Sequence, residues 1–352
     1  MIEVSVVIAT FNRNDSLRQL VHDLQNQDID SHRYEVVVVD DGSATPTSIE
    51  SGPGPQVQCL RQVNAGPAAA RDRGITASVG EIIVIVDDDM RVGSGFVGAH
   101  LDEHRRGADV ALGAILARAD GEDRPLFDRF HHHSLDRWVA ALADGTAEVR
   151  GGQVCTGNVS FRRADYRLVG GFDQTMRRCE DRDLGIRFEA QGRRLVFSPN
   201  AVSEHRSDHV SQTQWLARSS EWGAADVGIS RKHPTMGSAS PWSFLDEIPR
   251  PVHPLVIGAA LMPTVGRMLA RLVYGAADLV DGLERKRVAL TGATLAYALA
   301  YYAGVGSAHR TRRELIDGLR IWKSLRRPGI DSVHGQDSGH GQARRDPAVG
   351  RP

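Results

Sequence analysis

Three consecutive aspartates follow a buried-strand pattern in the first third of the chain. Residues 82–86 are apolar and mostly β-branched, which favours a strand covered on both faces. Asp87, Asp88 and Asp89 come directly after it, and adjacent carboxylates repel one another unless a positive charge or several donors lie among them. Mg²⁺ and Mn²⁺ prefer carboxylate oxygens and share their remaining positions with phosphates. The triplet therefore indicates either a divalent-cation site or a solvated acidic turn.

Other side chains that can hold ligands or move protons follow the ends of predicted strands or begin a helix. The apolar run at 4–10 leads into a polar loop, and the run at 34–39 ends in two carboxylates and a turn sequence. A helical pattern that begins at residue 180 has three acids in its first turn, which the helix dipole favours. Taken singly, such residues are typical of loops and helix caps. They are Thr10, Phe11, Arg13, Asp40, Asp41, Glu180, Asp181 and Asp183.

The elements that must position these side chains alternate between strand and helix. Helical patterns begin near residues 15 and 67, and strand patterns occur at 4–10, 34–39, 57–63, 82–86 and 110–116. Such alternation predicts βαβ units with right-handed crossovers and a largely parallel sheet. Because ligands bind at the carboxyl ends of strands in these sheets, we expect the polar residues that follow three of the strands to line one crevice.

Composition and missing motifs argue against several classes of protein. The chain has 352 residues and a net charge of −1, which gives no general attraction to nucleic acid. Cys59, Cys155 and Cys179 lack a Cys-x-x-Cys spacing, which is typical of reduced thiols and not of disulfides or zinc sites. No glycine-rich Rossmann or P-loop sequence follows the first strand. No basic region precedes an apolar core at the N-terminus, so we expect no secretory signal and a cytoplasmic location.

The order and spacing of several short segments resemble the successive motifs of family-2 glycosyltransferases. These enzymes have the GT-A fold, an α/β fold in which a nucleotide-binding half with a mixed, Rossmann-like sheet is joined to an acceptor-binding half. The resemblance offers little beyond about residue 210. The segments that carry it are SVVIATFNR (5–13), VVDDGS (38–43), NAGPAAARDRG (64–74), VDDD (86–89), GNVSFR (157–162), GGFD (170–173), EDRDL (180–184) and EH (204–205).

The resemblance implies contacts to a nucleotide diphosphate sugar. In the family, the first loop and the acid after the second strand hold the base and the ribose. That role corresponds here to Thr10, Phe11, Arg13 and Asp41. The arginine after the Asn-x-Gly segment, Arg71, is expected near the base or the phosphates.

The resemblance also implies a metal site. The Asp-x-Asp motif of the family corresponds to Asp87 and Asp89, with Asp89 as the direct ligand and Asp88 nearer the ribose. In related enzymes a histidine at the position of His205 completes the coordination, although a lone histidine is usually structural. A bridging cation would neutralise the charge that a diphosphate leaving group gathers, and Mn²⁺ suits a mixed oxygen and imidazole site better than Mg²⁺.

Asp181 corresponds to the general base of the family. It would take the proton from an acceptor hydroxyl as that oxygen attacks the anomeric carbon, on the face opposite the diphosphate. Glu180 is expected to position it or, alternatively, to be the base itself. A single displacement of this kind inverts the anomeric centre.

Two further patterns have a structural explanation beside a chemical one. The three histidines at 131–133 are adjacent, and adjacent side chains do not share a face of a helix or strand. We therefore predict loop or surface residues there and not metal ligands. Trp215 and Trp222 lie on a helical pattern at 212–225, where an aromatic stripe is more typical of core than of a sugar platform. Trp215 remains a candidate acceptor contact.

The composition changes after residue 210. We predict a GT-A domain at 1–210, made of a nucleotide-binding half (1–91) and an acceptor-binding, catalytic half (92–210). A helical C-terminal region at 211–327 follows, and we expect the Gly-, Ser- and Arg-rich tail at 328–352 to be disordered.

Two segments of the C-terminal region have a composition that is also found in membrane-spanning or membrane-bound helices. Residues 288–308 carry no charge, but they are rich in Ala and Gly and basic on both flanks, so packed or interfacial helices are favoured over a span. A later helix has an apolar stripe (Leu315, Ile316, Leu319, Trp322) and a basic face (Arg320, Lys323, Arg326, Arg327). Such a helix either contacts the inner face of a membrane peripherally or has an ordinary solvated face.

These features predict an inverting, metal-dependent glycosyltransferase that moves a sugar from a nucleotide diphosphate to a hydroxyl acceptor. The donor is expected to be a UDP-sugar, although the first loop does not exclude GDP or dTDP, and the acceptor is a glycan, a lipid-linked glycan or a small molecule. Two alternatives stay open. A sugar nucleotidyltransferase would need a glycine-rich loop after the first strand, and a silent sugar-nucleotide-binding protein would not need the intact acids.

Overall fold

A computed structural model describes residues 1–49, 52, 54–117, 124–176, 178–205 and 211–325. The strands are β1 (Val4–Thr10), β2 (Tyr34–Asp40), β3 (Gln56–Arg61), β4 (Ile82–Ile85), β5 (Met90–Val92), β6 (Val110–Ala117), β7 (Val159–Arg162) and β8 (Leu195–His205). The helices are α1 (Asn14–Gln25), α2 (Pro67–Ala77), α3 (Phe96–Arg105), α4 (Leu126–Ala143), α5 (Arg163–Leu168), α6 (Glu180–Ala190), α7 (Gln212–Lys232), α8 (His253–Leu261), α9 (Pro263–Gly282), α10 (Lys286–Ala308) and α11 (Arg312–Leu325).

All eight strands form one mixed sheet in the order β3-β2-β1-β4-β7-β6-β8-β5. The first four strands in this order run parallel, as their alternation with helices predicts. Strand β7 is antiparallel to both β4 and β6, and β5 is antiparallel to β8. Strands β6 and β8 are again parallel, so the sheet is parallel at β3-β2-β1-β4 and mixed beyond β4. Strand β5 spans the predicted boundary at residue 91, so both halves contribute to the same sheet.

The registers of the parallel strands bring their carboxyl ends to one edge. Thr10 at the end of β1 lies opposite Asp40 at the end of β2, and Val7 lies opposite Ile85 at the end of β4. Helices α1 and α2 cover the sheet with apolar side chains. A methyl group on Gly74 of α2 would lie 2.5 Å from the Val7 side chain, so only glycine allows this helix to approach the sheet so closely.

Helices α7 to α11 form a bundle beside the sheet, and α10 is its buried centre. The most apolar 18-residue window of α10 is 61% buried, and among the described residues it is the one helix long and apolar enough to cross a membrane. Gly223 of α7 and Gly304 of α10 allow close contact, because added methyl groups would lie 2.0 Å from Tyr301 O and 1.8 Å from Ser220 O. The uncharged, Ala- and Gly-rich sequence of α10 therefore serves helix packing.

Helix α11 buries only part of its predicted apolar stripe. Leu315 and Trp322 are buried against the bundle, whereas Ile316 remains 40% exposed. Arg326 and Arg327 of its predicted basic face, and the tail at 328–352, lie outside the described residues.

Candidate active site

The strand ends open into a cavity of about 1100 Å³. One wall consists of residues singled out from the sequence, namely Thr10, Phe11, Arg13, Asp41, Arg71, Asp87, Asp88, Asp89 and His205. The opposite wall comes from the C-terminal bundle and includes Trp215, Arg218, Trp222, Phe244, Tyr297 and Tyr301. Glu180 and Asp181 are not among the lining residues, although their neighbours Cys155 and Arg182 are. From the bundle side of the cavity, the sequence had indicated only Trp215 as a candidate contact.

Asp88 and Asp89 share one positive partner, which relieves the repulsion expected within the triplet. The Arg13 guanidinium forms ion pairs with both carboxylates, at 3.4 Å to Asp88 and more closely to Asp89. The Thr10 hydroxyl donates to Asp88 Oδ2 at 2.7 Å. Burial nevertheless raises the pKa of Asp88 to about 6. Arg13, Thr10 and Asp88 thus form one polar cluster at the ends of β1 and β4.

The pairing of β5 with β8 brings the two principal predicted metal ligands together. Met90 lies directly opposite His205 in the register of this antiparallel pair. As a result, the Asp89 Oδ2 atom lies 3.8 Å from His205 Nε2. Burial acts to raise the pKa of Asp89, but the hydrogen bond and charge of His205, together with Arg13, lower it below the usual value. Asp89 is therefore held as a carboxylate facing an imidazole.

The donor set around Asp89 fits a divalent cation that also binds a substrate. Asp89 Oδ1 is buried and has no hydrogen-bond partner among the described residues, so one carboxylate oxygen is left to coordinate. Among those residues, no three His, Cys, Asp or Glu side chains converge as a complete metal site. Asp87 is instead paired with Arg71 at 2.7 Å. The protein offers one carboxylate and one imidazole, and phosphate oxygens suit the remaining positions.

His131 is a residue that the sequence pattern did not indicate for this site. Residues 131–133 were predicted to lie in a loop or at the surface; the loop alternative was wrong, because these residues lie in α4. Packing of α4 on the sheet places His131 Nε2 at 3.3 Å from His205 Nδ1, while His133 on the same helix is exposed. The two histidines are far apart in sequence, so no local pattern could have shown this contact.

Arg71 connects the predicted nucleotide-binding and catalytic segments. It is buried, donating from Nη1 to Glu180 Oε1 and from Nη2 to Asp87 Oδ1, both at 2.7 Å. Removing one partner of a buried ion pair typically costs 3–5 kcal/mol. Arg71 thus holds the end of β4 to the start of α6, which fixes the position of the acids on that helix.

Asp181 lies at the start of α6 in a surrounding that favours its protonated form. The backbone N–H groups of Arg182 and Thr156 donate to its carboxylate at 2.8 and 3.3 Å. Burial, with a further contribution from the charge of Glu180, raises the pKa of Asp181 to about 6. A carboxyl group with such a pKa can accept a proton near neutral pH.

Asp41 and Phe11, two predicted nucleotide contacts, differ in how far contacts within the protein already occupy their side chains. The Asp41 carboxylate already accepts from Gln62 Nε2 and from the backbone N–H groups of Ala65 and Gly66, at 2.8–2.9 Å. It therefore also holds the loop before α2 in place. Phe11 is 47% exposed and presents its ring to the cavity.

A buried network links the start of α6 to the C-terminal bundle. Asp226 of α7 accepts hydrogen bonds from Arg182 and from the Tyr301 hydroxyl of α10. Trp215 of α7 is only 2% exposed and packs in the core, whereas Trp222 is 36% exposed at the cavity wall. If an aromatic side chain of α7 meets an acceptor, Trp222 is the better placed of the two.

The mixed sheet and the cavity at its strand ends are those of a GT-A fold. The structure of the chain is similar to that of the mannosyltransferase PcManGT from Pyrobaculum calidifontis, solved in complex with GDP-Man and Mn²⁺. The similarity has a TM-score of 0.61 and covers 86% of each chain at 18% sequence identity. At this identity the similarity concerns the fold, and the predicted fold class is confirmed.

The chain belongs to glycosyl transferase family 2, whose family model matches residues 5–165. It is 36% identical over 249 residues to the succinoglycan biosynthesis protein ExoO of Rhizobium meliloti, a match that covers 67% of this chain and 70% of that protein. A match to the pre-mycofactocin glycosyltransferase of Mycobacterium tuberculosis has 32% identity over 241 residues, covering 66% of this chain. The chain spans about half, 48%, of that relative's length.

Proposed function

We propose that the chain transfers a sugar from a nucleotide diphosphate donor to a hydroxyl acceptor, with inversion and with the help of a divalent cation. The observation that carries the proposal is the approach of Asp89 to His205 within the cavity that the predicted nucleotide-binding residues line. Asp89, whose buried Oδ1 has no hydrogen-bond partner in the described part of the chain, and the His205 imidazole suit Mn²⁺ or Mg²⁺. When bound, such a cation would stabilise negative charge on the departing diphosphate.

The donor side of the site rests on the cluster at the ends of β1 and β4. Arg13 forms ion pairs with two carboxylates of the acidic triplet, and its side chain, at the cavity wall, is 39% exposed. We propose that it neutralises diphosphate oxygens. The exposed Phe11 ring offers a flat apolar face for a nucleotide base, and Thr10 and Asp88 offer polar groups for the ribose.

On the acceptor side, Asp181 is the proposed general base. The acceptor oxygen forms a bond to the anomeric carbon while the bond from that carbon to the diphosphate oxygen breaks. The proton of the acceptor hydroxyl passes to the Asp181 carboxylate, and the diphosphate leaves with the bonding electron pair. Glu180 is neutralised by Arg71, so we assign to it a positioning role.

The donor nucleotide is the part of this proposal that a binding panel can decide. We expect one of UDP-, GDP- or dTDP-sugars to raise the melting temperature of the protein, and to do so only with Mn²⁺ or Mg²⁺, because a ligand that binds the folded state stabilises it. We expect a UDP-sugar, and the first loop does not exclude GDP or dTDP; the structural neighbour was solved with GDP-Man. The absence of a metal-dependent shift with every sugar nucleotide would contradict the proposal.

The pH dependence of kcat should follow the protonation state of Asp181. With a pKa of about 6, Asp181 is protonated at pH 5, so we expect kcat to fall by roughly tenfold per pH unit below pH 6. The rate is measured with saturating donor and metal. Protonating a carboxyl whose pKa is raised in the folded state stabilises that state, so this group does not cause acid unfolding. A kcat that is flat between pH 5 and pH 7 would contradict the assignment.

His131 is proposed to orient the His205 ring. A metal-binding histidine usually forms a hydrogen bond through its other ring nitrogen, and loss of that partner weakens metal affinity by about 10–100-fold. We expect His131→Ala to weaken Mn²⁺ binding to this extent, as measured by electron paramagnetic resonance in the presence of nucleoside diphosphate. His133→Ala, on an exposed position of the same helix, is the matched control. Equal affinities in both variants would exclude the role.

A further inference from the structure

Helix α9 turns a stripe of large apolar side chains to the outside of the bundle. The exposed fractions are 40% for Val265, 55% for Met268, 62% for Leu272, 75% for Leu279 and 73% for Leu283. At 100° per residue, these positions fall within one narrow sector of the helix surface. Isolated exposed apolar residues are ordinary, but a continuous row marks an interaction surface.

The opposite face of α9 carries the small residues that bind it to the bundle. Gly266, Ala270, Tyr274 and Ala277 are buried against the neighbouring helices. A methyl group added to Gly292 of α10 would lie 2.6 Å from the Ala277 side chain, which shows how closely the two helices approach. Leu269 and Val273 of α9 also pack against this core. The five large apolar residues of the stripe do not contribute to it in this way, and their exposure requires another explanation.

Basic residues lie near both ends of this apolar stripe. Arg285, Lys286 and Arg287 follow the C-terminal end of α9 and are exposed. At the other end, Arg267 donates to the Ser307 hydroxyl at 2.9 Å. This contact brings the end of α10, and the exposed residues that follow it, near the start of α9. Those residues include Arg310, Arg312 and Arg313.

We propose that α9 lies flat on an anionic lipid surface, with its apolar stripe in the acyl boundary and the two basic clusters at the headgroups. An amphipathic helix with basic residues near its apolar face binds membranes in this manner. A second copy of the chain fits less well, because its basic clusters would meet clusters of the same sign. Exposed acids near the stripe, Asp278 and Glu284, are fewer than the basic residues.

This surface differs from the one that the sequence suggested, which involved residues 288–308 and the stripe of α11. It also has a direct connection to the active site. The Tyr274 hydroxyl of α9 accepts from the backbone N–H of Phe127 at 3.2 Å, and Asp281 pairs with Arg129. Both partners belong to α4, the helix that carries His131. Helix α9 would therefore stand between the membrane and α4, an element that lines the cavity.

Vesicle binding tests the proposal. The wild-type chain should sediment with vesicles of phosphatidylglycerol and phosphatidylcholine, and more weakly with phosphatidylcholine alone or in high salt. The double variant Leu272→Glu and Leu279→Glu should lose at least about tenfold in affinity, because both charges enter the apolar stripe. Leu168→Glu introduces the same change at a 59% exposed leucine on α5, and we expect it to bind as wild type does.

The remaining measurements separate this surface from the enzyme activity. The melting temperature of the Leu272/Leu279 variant should be that of the wild type, since both positions are exposed. Its metal-dependent nucleotide binding should also be unchanged, since neither residue is among those that line the cavity. Replacing Arg285, Lys286 and Arg287 by Gln should weaken the preference for anionic vesicles, because only the cluster around Arg310 then remains. Failure of the wild type to bind phosphatidylglycerol, or retention of binding in the Leu272/Leu279 variant, would overturn the proposal. A dimer seen in analytical ultracentrifugation and lost in that variant would assign the surface to a second copy instead.

Discussion

Replacing Asp181 by Asn is expected to abolish sugar transfer while leaving the donor bound. The amide has nearly the shape of the carboxyl group, but it cannot accept the acceptor proton. General-base catalysis contributes about 10²–10⁴ to the rate, so kcat should fall by that factor. The dissociation constant of the nucleotide sugar, measured by calorimetry with Mn²⁺, should stay within about twofold, because removal of an interaction made only in the transition state leaves ground-state binding intact.

A comparison with Glu180→Gln makes this result specific. Glu180 is buried in an ion pair with Arg71, so its substitution leaves a buried guanidinium partly unpaired and should lower the melting temperature. In Asp181→Asn that ion pair remains, and we expect wild-type stability or slightly more. Wild-type transfer by Asp181→Asn, or a greater loss of kcat in Glu180→Gln without loss of stability, would show that Asp181 is not the base.

Replacing Asp89 by Asn is expected to remove metal-dependent donor binding. The amide is neutral and has one oxygen in place of two, so the site would lose a charge and one of the carboxylate oxygens. In the wild type, Oδ1 has no hydrogen-bond partner among the described residues. Loss of a direct ligand should weaken Mn²⁺ more than the roughly 10–100-fold expected when a partner of a ligand is lost. Transfer should fall in parallel, because the charge on the leaving diphosphate is then no longer compensated.

The matched control is Asp102→Asn, which makes the same change at an exposed carboxylate on α3. It should leave Mn²⁺ binding, nucleotide binding and transfer unchanged. His205→Ala should resemble Asp89→Asn if the two side chains hold the same ion. Retention of Mn²⁺-dependent nucleotide binding in Asp89→Asn would contradict the metal site, and would leave the membrane surface on α9 untouched.

The sequence by itself determined the N-terminal half of the sheet and its polar edge. Strand β1 has the predicted limits, Val4–Thr10, and helix α2 begins at the predicted position, Pro67, because apolar periodicity and a proline at the helix start are local signals. The acidic triplet was predicted to follow a strand for the same reason. Parallel strands share one edge, so the gathering of Thr10, Arg13 and Asp88 into one cluster also followed from local pattern and chain direction.

Only the tertiary structure decided which distant groups meet. His131 contacts His205 across 74 residues, and Arg71 bonds Glu180 across 109. Such contacts depend on helix and strand packing that no short window of sequence contains. The same holds for α9: amphipathic periodicity shows that one face is apolar, but it cannot show that small residues on the other face bind the core. The face of α9 with the small residues is buried because it allows the closer approach to the neighbouring helices. The large apolar side chains of the stripe are therefore exposed.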